Sequence, residues 1–330
     1  MAVITNTFTS ASPKGNRESL SDIVSRITPE DTPIYSMLSK ESTTSIFPEW
    51  EIDTLAPPAA NAQLEGDIYT FGAVTAVVRV GNPTQIMRKE WVVSKTQEAV
   101  DNAGRAEQIK TVKLKRGIEL KKDTELALIS NTASVAGATR LMGGLPSWYT
   151  SNVSRGATGT NGGYNTGTKL TVASGLGTQR AFTKVLLDAT MQACYTSGAN
   201  VKEVVVSPYV KSVFVTFMSD TNVAPFRMSV SSDSKRTIIA TADYYEGPFG
   251  RVAVIPNRVM ATSAAVARNV HLLDSDMLGM KVLRQFASDK NVTTNADSEA
   301  GVIIGEHTLC VKNEAGLGTV ADVFGLTAST

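Results

Sequence analysis

Histidine and cysteine are scarce in this chain, with two of each in 330 residues. Cys194 and Cys310 are far apart, so no disulfide framework is encoded and a reducing compartment is expected. Hydrolytic and transfer chemistry usually needs a base that titrates near neutrality, and histidine is the commonest one. Neither His271 nor His307 has a catalytic neighbourhood in the sequence. His307-Thr-Leu-Cys310 has plausible ligand spacing, but adding Cys194 and His271 would exhaust every soft ligand, so strand residues around a buried thiol are the simpler reading. The acid pairs Asp274/Asp276 and Glu49/Glu51 sit in polar context, on solvated faces or at a helix start. No enzymatic activity, metal or cofactor is expected.

Other absences narrow the field further. No apolar run is long enough to span a bilayer, and the polar MAVITNTFTSASPKGN start has no charged-then-apolar signal, so a soluble protein made in the cytosol is expected, with no membrane partner. The net charge of +1 lacks the basic excess that neutralising many phosphates requires. Gly156, Gly159, Gly162 and Gly163 lie within Asn152–Thr168, but their spacing is not G-x-G-x-x-G and no Gly-Lys-Ser/Thr follows. A mobile or shell-lining loop fits better than a phosphate cradle.

What is present is globular composition, 42% hydrophobic and 19% charged, in a chain longer than the ~250–300 residues at which single cores stop growing. Two lobes are the expectation. The chain is organised around Ser94–Asn131. Ser94 and Gln97 have capping-box spacing, which starts a short helix over Lys95–Asn102, with a break at Ala103-Gly104. Arg105–Ser130 has no proline and many helix formers, and predicts a second helix about 39 Å long. Val100, Leu114, Ile118 and Ile129 project one way and Ile109, Val112, Leu120 and Ala127 the other. Such a helix is either an ordinary bundle member or a spine that crosses the subunit and leaves a charged flank for a partner.

Before it, Met1–Asn16 reads as a polar arm, Arg17–Ile27 as a helix and Thr32–Leu38 as a short helical piece. Ser45–Asp53 alternates Ile46, Trp50 and Ile52 with Glu49, Glu51 and Asp53, a strand with one apolar and one acidic face. Leu55–Asp67 has no core pattern, Val74–Val80 alternates again, and Gln85–Val93 runs extended into the helices. The simplest geometry is a long two-stranded arm with a flexible tip, marginal unless it lies on a surface.

After the helices, Phe182, Val185, Leu186, Ala189 and Ala193 mark an amphipathic helix that stops near Gly198. Val204–Val206 reads as a strand, and Ser207-Pro208 as the start of a helix presenting Val210, Phe214 and Phe217. Thr221–Lys235 is irregular, Thr237–Tyr245 and Arg251–Ile255 form a hairpin, and Val270–Leu273 and Lys281–Phe286 are further strands of a mixed sheet with helices on it. Ser288–Glu299 is a polar connector. Val302–Asn313 is a strand returning to the long helix, and Leu317–Thr330 a short tail.

This order of elements resembles the major capsid proteins of tailed double-stranded-DNA bacteriophages, the α+β Hong Kong 97-like (Johnson) fold. The stretches that carry the resemblance are GNRESLSDIVSRITPEDTPIYSML, FPEWEIDTLAPPAANAQLEGD, WVVSKTQEAVDNAGR, NVSRGATGTNGGY, VIPNR and EHTLCVKNEAGLGTVADV. The resemblance implies an N-arm with short helices (1–40), an E-loop (41–93), a P-domain with spine helix and Gly-rich loop (94–175), an A-domain (176–287) and a return strand completing the P-domain (288–330). It implies hexamers and pentamers of many copies, closing an icosahedral virion capsid around double-stranded DNA in the host cytoplasm. Portal and scaffolding or decoration proteins are the implied partners. An encapsulin-like compartment and another phage structural part, a tail or decoration protein, are the alternatives. Some family members weld their shells through an E-loop lysine, but Glu41–Arg88 contains none, so no such cross-link is expected. Many begin with a scaffolding segment, whereas Met1 here opens directly on a short arm.

Charge suggests where copies touch. Between Ile46 and Arg88, five acids (Glu49, Glu51, Asp53, Glu65, Asp67) against Arg79 and Arg88 leave about −3. Between Arg105 and Glu125, seven bases (Arg105, Lys110, Lys113, Lys115, Arg116, Lys121, Lys122) against four acids leave about +3. The expectation is that the acidic loop of one copy lies across the basic helix flank of the next. Trp50, Ile52 and Val78 would then supply apolar contact, because exposed ion pairs contribute only ~0–1 kcal/mol each. A solvated charged face is the alternative.

Overall fold

The computed structural model describes residues 28–69, 71–74, 76–100, 107–217, 243–289, 292 and 296–323. The expected arm over Met1–Asn16, the helix over Arg17–Ile27, the break at Ala103-Gly104, the irregular Thr221–Lys235 segment and the first hairpin residues, Thr237–Ala242, lie outside the described residues.

Helix α1 (Pro33–Met37) starts with proline in its first turn, where a missing N–H leaves no hydrogen bond unmade. β1 (Ser39–Ser42), β2 (Glu49–Ile52), β3 (Val78–Gly81) and β4 (Gln85–Ser94) follow. The helix pair comes next, as α2 (Lys95–Ala99) and α3 (Gln108–Ile129). Ser94 does cap α2, its hydroxyl accepting from the Gln97 N–H, but α2 ends at Ala99, earlier than expected. At 22 residues α3 is about 33 Å long, shorter than the sequence suggested. Its C-terminal half sinks into the core through Leu120, Thr124, Glu125, Leu128 and Ile129, while Leu114 stays 66% exposed.

Beyond α3 come β5 (Val153–Ser154), β6 (Gly163–Asn165), β7 (Leu170–Val172), α4 (Lys184–Thr196), β8 (Glu203–Val206) and α5 (Pro208–Phe217). They are followed by β9 (Tyr244–Gly247), β10 (Gly250–Pro256), α6 (Ala264–Ala267), β11 (Val270–Leu273), β12 (Leu278–Asp289), β13 (Ser298–Val311) and β14 (Gly318–Val320). Helix α4 ends where expected, at Gly198 with φ +88°. Its buried face is a correction: Leu187, Thr190, Met191 and Cys194 point inward, whereas Val185 is 75% exposed and Ala189 is also exposed. Several small and apolar residues crowd this helix, and the count of apolar positions alone selected a stripe rotated away from the core.

Two sheets carry the molecule. One has the order β1-β12-β13-β4, and the other β5-β14-β11-β8-β10-β9. The expected return strand is β13, antiparallel to β4 from Ser298↔Ser94 to His307↔Gln85 and close to α3. The strand expected at Lys281–Phe286 is longer and sits elsewhere: β12 pairs with β13 in the four-stranded sheet and not with the mixed sheet of the second lobe. The tail is not passive either, since β14 is inserted between β5 and β11 and Val320 is fully buried. The Gly-rich stretch is also tied down. β5 pairs with β14, and the carboxylate of Asp322 accepts the N–H groups of Gly156 (3.1 Å) and Gly177 (2.8 Å).

The six-stranded sheet is a wall shared by two cores. Val204, Val206, Val252, Val254 and Leu272 face α4 and α5 with Phe182, Leu187, Met191 and Phe214. Val205 and Leu273, one residue out of step, face the core that contains Leu120, Leu128, Trp148 and Met280. Side chains alternate across a strand, so burial on both faces demands the unbroken apolar run seen at Val204–Val206.

Candidate assembly surface

The acidic loop leaves the body at β2 and returns at β3, which pair only from Glu49↔Gly81 to Ile52↔Val78. The long two-stranded arm is thus four residues deep, and the stretch between its strands has no regular pairing among the described residues. Its foot is fixed to the subunit. The Trp50 indole N–H donates to the Val311 carbonyl (2.8 Å), and its ring stacks on Trp148, which stacks in turn on Tyr164. Buried Asn82 donates to the Gly143 and Leu309 carbonyls and accepts from the Gly143 N–H. The Thr84 hydroxyl donates to Glu306, which is held from other sides by Arg140 (2.5 Å) and Arg284 (3.2 Å). Burial pushes the Glu306 carboxyl up, yet the Thr84 hydroxyl and the two guanidinium groups together bring it below its ordinary range.

This geometry corrects one expectation. Trp50 and Ile52 are packed against their own core, so they are not free for a neighbour; Val78 remains about half exposed. The foot acids also have partners within the chain. Glu49 lies 3.3 Å from the Lys169 ammonium and 3.7 Å from Arg79, and Glu51 lies 3.7 Å from Arg79. Further out, Asp53, Glu65 and Asp67 are exposed, with no ion pair among the described residues. Around them Leu55 (95% exposed), Leu64, Ile68, Tyr69, Phe71 (96%) and Val74 all project into solvent.

The basic flank is equally resolved into used and unused charge. Lys110 pairs with Glu107 and Arg116 with Glu119, each at 2.7 Å, and the Lys113 ammonium sits 4.4 Å above the Trp91 ring. Lys115, Lys121 and Lys122 have no ion pair among the described residues, and Arg105 lies outside them. The remaining chemistry-bearing residues are interior. Burial pushes the Cys194 thiol up to about 12 and Cys310 to about 11, so both stay protonated at neutral pH. His271, 3.0 Å from the Tyr149 hydroxyl, and His307, edge-on to Phe286, are each held down to about 4 by burial and are neutral. Sequence reasoning missed Glu306, Asn82 and Glu125. Fully buried Glu125 accepts from the Ile34 and Tyr35 N–H groups and the Asn257 amide, and burial raises its pKa despite those bonds. Asn82 alone carried a signal, between Gly81 and Pro83.

The described surface holds a loop whose outer apolar and acidic groups have no cover or ion pair among the described residues, and a helix flank where Lys115, Lys121 and Lys122 have no ion pair among them. Among the described residues no helix is long and apolar enough to cross a membrane. The profile of the SU10 major capsid protein family matches residues 3–324. The chain is 35% identical over 127 residues to the major capsid protein of Escherichia phage Phieco32, a match that spans 38% of this chain and 36% of that protein. Among solved structures it resembles the cyanophage A-1(L) capsid asymmetric unit, at TM-score 0.61 and 12% identity over 96% of this chain and 99% of the other. It also resembles the holo encapsulin complex from Synechococcus elongatus, at TM-score 0.56 and 12% identity over 96% and 95%. With that family profile spanning nearly the whole chain, and with an α+β fold of the Hong Kong 97-like kind, the protein belongs to the SU10 major capsid protein family.

Proposed function

We propose that many copies of this chain, as hexamers and pentamers, close an icosahedral shell around double-stranded DNA, assembled in the host cytoplasm. A portal protein and scaffolding or decoration proteins would complete the particle. The observation that carries this reading is the loop between β2 and β3. Contiguous exposed apolar surface of this kind is rare on monomers and marks an interaction site. Leu64, Ile68, Tyr69 and Phe71 lie together on an acidic segment that nothing covers among the described residues. A neighbouring copy supplies the cover, and repetition of the contact around each ring builds the shell. Near-neutral net charge suits a wall that encloses DNA without gripping it.

Electron microscopy of the purified chain, sized on a column beforehand, tests this. Uniform closed particles with fivefold vertices are expected from the chain alone or with a phage scaffolding protein. A monomer under both conditions defeats the reading. The likeness to an encapsulin complex supports a second reading, a shell around protein cargo. Nuclease-protected DNA in particles from infected cells favours the first, and a stoichiometric enclosed protein without DNA favours the second.

A further inference from the structure

Five elements, α1, β1, α3, β12 and β13, contribute to the wall of a cavity of about 530 Å³, a size usual for small-molecule sites. Three rings line it in succession: Tyr35 lies 6.5 Å from Phe286, and Phe286 stands edge-on to His307 with 5.1 Å between centroids. Glycine at 305 leaves room for the Phe286 ring, because a Cβ there would sit 2.3 Å from it. The charge around the cavity is only partly used. Glu41 pairs with Lys281, and half-exposed Arg284 engages Glu306. The Lys40 ammonium rests 4.0 Å over the Tyr35 ring and, like that of Lys121, has no ion pair among the described residues. His307 is 2% exposed, and its enclosed Nε2 has no hydrogen-bond partner among the described residues, which is costly for a buried polar atom. The strand beside it is irregular. The β12–β13 register breaks between Val282 and Arg284 and again between Arg284 and Ala287, so Leu283, Gln285 and Phe286 lack register partners on β13.

We infer that this cavity is a binding site for a small aryl carboxylate, its ring packed against Tyr35 and Phe286, its carboxylate held by the Lys40 and Lys121 ammonium groups and hydrogen-bonded to His307. Each feature selects one part of that ligand. Aromatic walls favour a flat apolar body. Two unpaired cations on a largely apolar wall favour a single negative charge, since an ammonium–carboxylate pair shielded from water is stronger than one at the surface. The second charge of a phosphate would need Arg284, which Glu306 already holds. Phe286, without a ladder partner on β13, swings to admit the edge of the ligand, and His307 as its Nε2–H tautomer then donates to the carboxylate. This site stands apart from the shell reading, which requires no small molecule.

Titration of the full, unassembled chain with 2-naphthoate and with its neutral isostere 2-naphthamide tests the assignment. The chain has two histidines, so ¹⁵N-histidine labelling reports on both imidazoles at once by NMR. Naphthoate should shift the His307 ring resonances and leave those of His271, fully buried against Tyr149, unmoved. The amide should bind roughly tenfold more weakly. Lys40→Met and Lys121→Met should each close most of that gap by weakening naphthoate alone. His307→Phe keeps a ring in place and removes the nitrogen, and it should weaken naphthoate roughly fivefold while the circular dichroism spectrum stays native. Unchanged affinity in that variant would make His307 an ordinary core ring and overturn the inference. Equal affinity for acid and amide, or shifts at both histidines, would overturn it as well. So would the absence of any shift, the result expected if residues 1–27 or a neighbouring copy already fill the cavity.

Discussion

Glu306 shows how a single buried carboxylate ties the acidic loop to the body. It is 3% exposed, lies on β13, and is reached by Thr84 from the loop foot, Arg140 from the segment after α3 and Arg284 from β12. Its pKa is below the ordinary range, so the folded state holds the charged form more tightly than the unfolded chain does. Its stabilisation is present above the unfolded carboxylate pKa and is lost as pH falls through the folded value. Glu306→Gln should cost about 2–3 kcal/mol at pH 7, discounted because the Arg284 side chain is half exposed. Urea unfolding of unassembled subunits checks this, and the gap between wild type and variant should close as the pH is lowered. A gap unchanged by acid would mean that Glu306 acts by shape alone. Glu125 has the opposite sign. Its pKa is raised, so its charged form is penalised in the fold, increasingly as pH climbs from the ordinary carboxylate value to the raised one.

At the scale of elements, the β2–β3 hairpin is held by its hinge more than by its ladder, which has four register pairs. Asn82 satisfies the Gly143 N–H and two carbonyls from separate parts of the chain. Asn82→Ala leaves those buried groups unpaired, at about 1–3 kcal/mol in total. Hydrogen exchange should quicken at β2, β3 and Gly143 while β8 and β11 keep their protection; uniform loss would assign Asn82 to the global fold. Much of this level was legible beforehand. The Ser94 cap, the proline start of α1, the valine run of β8 and the return strand β13 are all encoded by local chemistry. The partners were not. Alternation at Ile46–Asp53 reveals that Trp50 and Ile52 share a face, but not that Trp148 and Val311, distant in sequence, cover it. Nothing local distinguishes Glu125 or Glu306 from a solvated acid. The unused charge on α3 was readable only as a surplus, because the ion pairs at Lys110 and Arg116 depend on which side of the helix faces water.

For the whole molecule, two cores on either side of a shared wall make a body that does not depend on the acidic loop. Replacing residues 55–76 with a short Gly/Ser linker should therefore leave a folded subunit with a near-native unfolding transition that never forms particles. Circular dichroism and microscopy check the two halves of that expectation, and particles from the shortened chain would remove the loop from assembly. The proposed contact between copies draws on exposed charge, so raising ionic strength above physiological levels should slow wild-type assembly without unfolding the subunit.

The position of β14 has a bearing on synthesis. Residues 318–320 lie between β5, residues 153–154, and β11, residues 270–273, so the mixed sheet joins stretches more than 150 residues apart in the chain. Such long-range pairing is slow, and it cannot be completed on a ribosome that still holds those residues in its exit tunnel. A nascent subunit therefore finishes its body only after its acidic loop has long been exposed. Emergence of β14 from the exit tunnel, rather than of the loop, sets the earliest moment at which a copy becomes competent to join a growing wall.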